Sequence, residues 1–203
     1  MSERAVYRLL EQPWIYRLSQ VMLAPGAQKA IVSQLNQLVA QFPPAKRLLD
    51  VGCGPTSWLW RVGLHPVGID LSPSYSIDFK RKGGAAVTGS AALLPFADNT
   101  LDSVWCMFML HHLPDAIAQR AVSEIIRVCR PNGYAVIFDG VLPKSAVKRP
   151  IAWSIRRLDR GGHFREEIRM RQLLNQKEWN CRRFTYSATG LEGLVCVLRK
   201  GAD

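Results

Sequence analysis

Two glycines, Gly52 and Gly54, directly follow the apolar run Leu48–Val51, and this arrangement can form a ligand pocket. Glycine lets the backbone turn tightly and approach a ligand with no Cβ in the way. When such a turn follows a buried strand and precedes a helix, its free N–H groups lie at the carboxyl edge of a parallel sheet, where open α/β folds bind ligands. The run therefore predicts a nucleotide-type pocket.

The residues around the turn narrow the kind of nucleotide. The third glycine of the dinucleotide-binding pattern G-x-G-x-x-G is missing, and so is the lysine of a triphosphate-binding loop. Asp70 ends the next apolar run, and its position after Asp50 suits a carboxylate that accepts from two ribose hydroxyls. Two glycines and one such acid predict an adenosine ligand without a pyrophosphate.

Two adjacent histidines, His111 and His112, are the main candidates for proton transfer, since they directly follow the apolar run 101–107. Histidine titrates near neutral pH, which suits a general base. A structural role is the equal alternative, with a ring hydrogen-bonded to backbone at the start of a loop. His163 and Asp139 are further candidates.

The elements that position these residues alternate between short apolar runs and helical patterns, which is the rhythm of a parallel sheet. Two amphipathic helices are expected within residues 5–42, one at 115–128 before a turn at 131–133, and two more near 145–160 and 166–176. The last two strands form a hairpin through residues 188–190. The predicted strands are Arg47–Val51, Pro66–Asp70, Ala85–Gly89, Leu101–Met107, Tyr134–Phe138, Arg182–Ser187 and Leu191–Arg199.

Four segments in this order resemble the class I S-adenosylmethionine-dependent methyltransferases, closest to the small-molecule group that includes quinone-pathway and biotin-pathway enzymes. The resemblance implies an α/β, Rossmann-like, doubly wound sheet of seven mostly parallel strands with a reversed final strand and helices on both faces. It implies S-adenosylmethionine as cofactor and S-adenosylhomocysteine as product. The matching segments are residues 48–55, 67–73, 89–115 and 125–137.

The resemblance also assigns roles near the turn. Asp50 would orient the turn or face the sulfonium side, although a loop or helix-capping acid is the alternative. Asp70 would accept the ribose hydroxyls, and Leu71 would cover the adenine. No metal site is expected. The full cofactor-binding set is Asp50, Gly52, Cys53, Gly54, Asp70, Leu71, Ser72, Ser90, Ala91, Cys106 and Met107.

One position departs from the family pattern. Ser90 stands where the family usually has an aspartate that accepts from the adenine amino group. A neutral hydroxyl is a weaker acceptor than a carboxylate, and the lost charge is worth about 1 kcal/mol. Asp98 is the neighbour that could compensate.

Length and composition fit a single domain. With 203 residues, 48% of them hydrophobic and 21% charged, the chain can bury a substantial core. Residues 1–45 are expected to form a helical extension whose Tyr7, Trp14 and Tyr16 cover the cofactor or simply pack on the sheet, and residues 46–203 the cofactor-binding domain.

The five cysteines and the chain's hydropathy bear on its environment. No apolar stretch reaches membrane-spanning length, and the N-terminus lacks the apolar core of a signal peptide. The cysteines are odd in number and contain no C-x-x-C, so reduced cytoplasmic thiols are expected rather than disulfides or a zinc site.

The positive charge of the chain is the main indication of a nucleic-acid or other anionic partner. The formal net charge is +11, and nine basic residues lie within residues 144–171. This segment follows the fifth strand, near the expected substrate opening, and can be a solvated basic face, an RNA-binding surface or a site for an anionic metabolite or lipid.

The expected function is methyl transfer to O, N or S of a small or lipid-like metabolite. The alternative is an RNA-directed methyltransferase, or a noncatalytic cofactor-binding partner that binds RNA through the basic segment. The fourth strand lacks the N-P-P-Y sequence that holds exocyclic amines, and Cys106 lacks the adjacent proline of a cytosine-methylating nucleophile. Cys106 is therefore expected to be a core thiol.

Overall fold

A seven-stranded sheet organises the molecule. The structure, a computed structural model, describes residues 24–159, 162–174 and 179–202. The strand order is β3-β2-β1-β4-β5-β7-β6, with β1 to β5 parallel and β7 antiparallel to both of its neighbours. This confirms the predicted fold class. The strands are β1 Leu48–Val51, β2 Val67–Asp70, β3 Ala85–Thr88, β4 Leu101–Met107, β5 Cys129–Val141, β6 Asn180–Thr185 and β7 Glu192–Arg199.

Helices cover both faces of this sheet. Alternate side chains of β4 point to opposite sides, so Trp105 packs with α1 and α4 while Cys106 packs with α3 and α5. No helix of the described residues is long and apolar enough to cross a membrane. The α-helices are α1 Ala27–Val39, α2 Pro73–Arg81, α3 Asp115–Val128, α4 Pro150–Leu158 and α5 Glu167–Leu174.

The first of the two helices predicted within residues 5–42, which were expected to break near residues 25–26, lies outside the described residues, as do Tyr7, Trp14, Tyr16 and Arg160. Of the predicted extension, α1 is described. Its buried side chains Ile31, Leu35 and Leu38 belong to the same core cluster as Trp105. The proposed cover of the cofactor by the first residues stays a prediction.

Two predicted elements differ from the observed ones. The helix expected after the glycine turn is a short 3₁₀ helix, Leu59–Val62, which stops at Gly63 because that residue is left-handed with φ 77°. The turn predicted at residues 131–133 lies inside β5. Asn132 donates its N–H to the Lys200 carbonyl and Gly133 accepts from the Lys200 N–H, so both are paired with the chain that follows β7.

The cysteine prediction is wrong for one pair. Cys181 and Cys196 face each other across β6 and β7 and form a disulfide, with their Cα atoms 4.0 Å apart. Cys53, Cys106 and Cys129 are free and buried. Spacing in the sequence carries no signal for this pair, since the register of the two strands brings the residues together.

Counting free thiols tests the disulfide. We expect iodoacetamide, added to denatured and unreduced protein, to alkylate three cysteines, because Cys181 and Cys196 are already joined. Intact-mass spectrometry measures the count, with prior reduction as the control that gives all five. Five alkylated cysteines without reduction contradict the pairing.

Candidate functional site

The glycine turn at the end of β1 is a left-handed bend. Gly52 has φ 72° and Gly54 has φ 59°, both in the region that side chains rarely adopt. The Gly52 N–H donates to the Ile69 carbonyl at 2.8 Å, which fixes the turn against β2. A Cβ on Gly52 would overlap the Met109 side chain, whereas a Cβ on Gly54 would meet no atom within 4 Å. Gly52 therefore packs against the Met109 side chain, whereas Gly54 borders open space.

Asp70 ties the turn to the end of β2. Its Oδ2 accepts from the Gly54 N–H and its Oδ1 accepts from the Ser72 N–H, both at 2.9 Å. Each carboxylate oxygen can accept a second hydrogen bond. Because the side chain is only partly buried, those acceptor positions can receive the hydroxyls of a diol. Ser72 also begins α2, where its Oγ accepts from the Tyr75 N–H.

Asp50 is a buried acid beside the same turn. It is 2% exposed, and Ser57 Oγ donates to its Oδ2 at 2.6 Å. Burial raises the pKa of Asp50 to about 6; the Ser57 hydrogen bond opposes this rise and the Asp70 charge adds to it. A buried carboxylate with a raised pKa gains from a nearby cation. The Ser57 contact was not predicted, although Ser57 lies in the glycine motif.

Exposed apolar side chains lie in two segments next to Asp70. Leu71 is 74% exposed, and Leu93, in the loop that starts at Ser90, is 76% exposed. Gly89 N–H donates to the Asp70 carbonyl at 2.9 Å, so this loop starts beside the acid. Exposed leucines suit the flat face of an adenine. Leu93 was not predicted as a site residue.

Ser90 and Asp98, which were considered as hydrogen-bond acceptors for the adenine amino group, both already have partners. Ser90 Oγ accepts from the Ala92 N–H at 3.2 Å, within its own loop next to Ala91. Asp98 Oδ1 accepts from Arg127 at 2.6 Å, which holds the carboxylate on α3. Asp98 is therefore already paired with Arg127, and its role as a substitute acceptor stays a prediction.

Three predicted residues lie in the core. The Cys53 side chain packs with Phe79 and Ala86, and its N–H donates to the Ile69 carbonyl. Cys106 and Met107 are buried on opposite faces of β4. Burial raises the pKa of the Cys106 thiol well above its usual value, as expected for a core thiol.

A strained residue turns the chain after β4 towards the glycines. Phe108 has φ 53°, rare for a bulky side chain, and its N–H donates to the Phe138 carbonyl at 2.7 Å. Met109 follows, and its side chain occupies the space that a Cβ on Gly52 would need. A short 3₁₀ helix, Leu110–His112, comes next. The histidine loop, residues 108–113, therefore lies directly beside the glycine turn.

His111 and Asp139 form a buried pair. His111 Nδ1 lies 2.5 Å from Asp139 Oδ1, and the His111 backbone N–H donates to Oδ2 at 3.0 Å. Burial by itself would raise the pKa of Asp139, but the His111 charge and the hydrogen bonds from His111 and Gly140 lower it. The His111 ring stacks on Phe164 with 4.4 Å between ring centroids. Asp139 thus fixes the orientation of the ring.

His112 lies beside this pair with a different environment. The residue is exposed, and its ring centroid is 4.1 Å from that of His111. Partial desolvation and the His111 charge lower the pKa of His112. Of the two predicted bases, only His111 is oriented by a carboxylate.

Arg165 holds the histidine loop from the other side. Its guanidinium donates to the Leu110 carbonyl at 2.9 Å, to the Leu113 carbonyl at 2.6 Å and to Asp115 at 2.7 Å. His163 contributes its N–H to the His111 carbonyl at 3.1 Å. From sequence, Arg165 was only one of the residues of the basic segment. In the structure its side chain is buried and holds the histidine loop.

A wall of aromatic rings continues from the histidine loop. Phe108 contacts Trp58 and Tyr186, with ring centroids 5.9 and 6.1 Å away. Arg156, which is 6% exposed, donates to the Tyr186 hydroxyl and lies 4.2 Å over Phe164. This contact arises from tertiary packing; from sequence, Arg156 was predicted only as one of the residues of the basic segment.

The donor set fits an adenosine sulfonium compound. Open space borders Gly54, a diol acceptor lies beside it at Asp70, and Leu71 offers an apolar face. Asp50 supplies buried negative charge, which matches a cation.

Comparison with known proteins agrees with this geometry. Residues 49–137 match a family model described as a methyltransferase domain. An uncharacterized methyltransferase of Mycobacterium sp. (strain JLS) is 34% identical over 53% of this chain and 44% of its own length. A ubiquinone/menaquinone biosynthesis C-methyltransferase of Roseobacter denitrificans is also 34% identical, over 51% of this chain and 46% of its own length. The chain thus spans less than half the length of these curated relatives.

A solved structure from Thermotoga maritima extends the likeness in fold. It is described as an S-adenosylmethionine-dependent methyltransferase and possible histamine N-methyltransferase, and it matches 96% of this chain and 100% of its own at 13% identity with a TM-score of 0.69. That likeness shows the fold alone. The domain match includes the glycine turn, Asp70 and the histidine loop, so residues 49–137 are similar to a methyltransferase domain, and the fold is similar to that of an S-adenosylmethionine-dependent methyltransferase.

Proposed function

We propose that this chain transfers a methyl group from S-adenosylmethionine to O, N or S of a small or lipid-like metabolite. The observation that carries the proposal is the contact of Met109 with Gly52, which joins the open glycine turn to the buried His111–Asp139 pair. A ligand cradle and an oriented proton acceptor thereby lie at one edge of the sheet, as a transferase of this kind needs.

The cofactor side of the site is assigned to residues already described. Asp70 would accept the ribose hydroxyls, Gly54 would leave room for the methionine part, and Leu71 would cover the adenine. Asp50 would balance the sulfonium charge, since its carboxylate is buried and gains from a cation. When bound, S-adenosylmethionine supplies an electrophilic methyl carbon on a positively charged sulfur.

The acceptor side is assigned to His111. Its Nδ1 faces Asp139, so a proton on Nδ1 leaves Nε2 free to accept one. A hydroxyl acceptor gains most from such a base, because an alcohol or phenol is a weak nucleophile until its proton leaves. Asp139 is a positioning residue, since it acts through the ring of His111 and holds its tautomer.

The aromatic wall supports a planar or amphipathic acceptor. Trp58, Phe108 and Tyr186 line one side of the histidine loop and would exclude water from the transfer. Arg156 adds one buried cation near Tyr186. The relative named for quinone biosynthesis acts at carbon, so we include phenolic rings among the acceptors to be tested.

The RNA-directed and noncatalytic alternatives rest on the basic segment. Arg156 and Arg165 are buried, while Arg149 and Arg171 pair with Glu192 and Glu167. Fewer free cations therefore remain for phosphate contacts than the sequence indicates, which favours the metabolite acceptor.

A matched pair of glycine variants tests the cradle. We expect Gly52→Ala to lower the free energy of unfolding by about 3 kcal/mol, since it adds left-handed strain to overlap with Met109. Gly54→Ala lacks the overlap and is expected to cost about 1 kcal/mol, while its methyl group weakens cofactor binding about tenfold. Urea unfolding and calorimetric titration measure the two effects. Unchanged cofactor affinity in Gly54→Ala contradicts the cradle.

Affinity measured against pH tests the role of Asp50. Its pKa of about 6 means that the carboxylate gains a proton as the pH falls through this value, which removes the charge that would face the sulfonium. We expect the affinity for S-adenosylmethionine to fall about tenfold between about pH 7.5 and about pH 5. S-adenosylhomocysteine lacks the sulfonium charge and is expected to change less, and Asp50→Asn is the control that removes the difference. Equal pH dependence of both ligands in the wild type refutes this role.

Substitutions of the histidines test the base. We expect His111→Ala to lower kcat by about 10²-fold or more, with His112→Ala as the adjacent control that stays within about threefold. Asp139→Asn is expected to shift the pH profile of kcat, which a merely structural role would not do. The measurement is formation of S-adenosylhomocysteine over a panel of phenols, thiols and amines. Equal rates for His111→Ala and wild type remove this residue from the mechanism.

A further inference from the structure

The outward face of α4 and the turn before it expose large apolar side chains. Val147 is 90% exposed, Ile151 is 62% exposed and Leu158 is 86% exposed. Ile151 and Leu158 are seven residues apart, so they share one side of the helix, while Ala152 and Arg156 are buried on the other. Such a cluster is costly in water and marks an interaction surface.

Positive charge surrounds this apolar cluster. Residues 143–158 contain five basic residues and no acidic one. The side chains of Lys144 and Lys148 form no ion pair within the described part of the chain, and Arg157 lies 4.7 Å over the ring of Trp153. The nearest acid along the chain, Asp159, follows α4 and lies 4.0 Å from the buried Arg156 guanidinium. The outer face is therefore both apolar and cationic.

We propose that the outer face of α4, residues 147–158, docks on a bilayer surface that contains anionic lipids. Apolar side chains between exposed cations are what an interfacial helix presents to such a surface, with the cations at the headgroups and the apolar groups between them. An RNA surface would need free aromatic rings for stacking, but the ring of Trp153 is covered by Arg157. The net charge of +11 adds attraction at long range.

Docking would orient the site without taking part in the reaction. The inner side of α4 carries Arg156, which contacts Phe164 and Tyr186 beside the histidine loop. A bilayer on the outer side therefore lies next to the edge of the sheet where the acceptor is proposed to enter. The inference goes beyond the proposed reaction, and vesicle binding can be measured with no cofactor or acceptor present.

Vesicle flotation with the full chain tests the surface. We expect the wild type to float with phosphatidylcholine vesicles that contain about one third phosphatidylglycerol, and to stay behind with pure phosphatidylcholine. Val147→Ser combined with Ile151→Ser and Leu158→Ser is expected to reduce binding about tenfold. Lys144→Gln combined with Lys148→Gln is expected to do the same at low salt.

The control is Ile168→Ser on α5, which packs against the opposite face of the sheet. Ile168 is as exposed as Ile151, at 62%, so Ile168→Ser removes as much apolar surface as the single change Ile151→Ser; we expect Ile151→Ser to weaken binding and Ile168→Ser to leave it unchanged. A wild type that does not float overturns the inference, as does one that binds an RNA oligonucleotide but no vesicles. A triple variant that floats normally but melts at a lower temperature also overturns it, because the face is then covered by protein. If the protein floats with the vesicles but transfers no methyl group to any acceptor, the docking surface is supported and only the proposed reaction is contradicted.

Discussion

Two left-handed glycines at the end of β1 set the geometry on which the rest of the site depends. Gly52 has no room for a side chain because Met109 fills that position, and Gly54 borders open space. The Gly54 N–H is fixed by Asp70 at the end of β2, so the turn, the acid and the two strands hold one another in place. A turn held in this way lowers the ordering cost of binding for a ligand that fits it.

The same constraint couples the cofactor side to the acceptor side. Met109 follows Phe108, whose positive φ turns the chain after β4 back towards Gly52. Arg165 holds the carbonyl groups of that loop, and Asp139 orients the ring of His111. These contacts offset the strain at Phe108. Strained backbone of this kind is common at functional sites. These contacts hold the histidine loop beside the glycine turn.

The sequence could predict the parts of the site that lie within one motif. The strand, the glycines and Asp70 are local signals, and β4 and α3 begin and end where their apolar patterns predict. The buried pair of His111 and Asp139 depends on two strands lying side by side, and Arg156 changes from a surface cation to a buried contact only through packing. The disulfide between Cys181 and Cys196 follows from strand register in the same way. Contacts between distant segments have no signature in residue spacing.

The central claim is that the glycine turn and Asp70 hold an adenosine sulfonium compound. The most direct measurement is calorimetric titration of wild type and Asp70→Asn with S-adenosylmethionine, with circular dichroism to confirm that both are folded. The account predicts binding to the wild type and a loss of about tenfold or more in the variant, because the ribose would lose charged acceptors. Equal affinity of the two proteins, or a flat titration of the wild type, would contradict it.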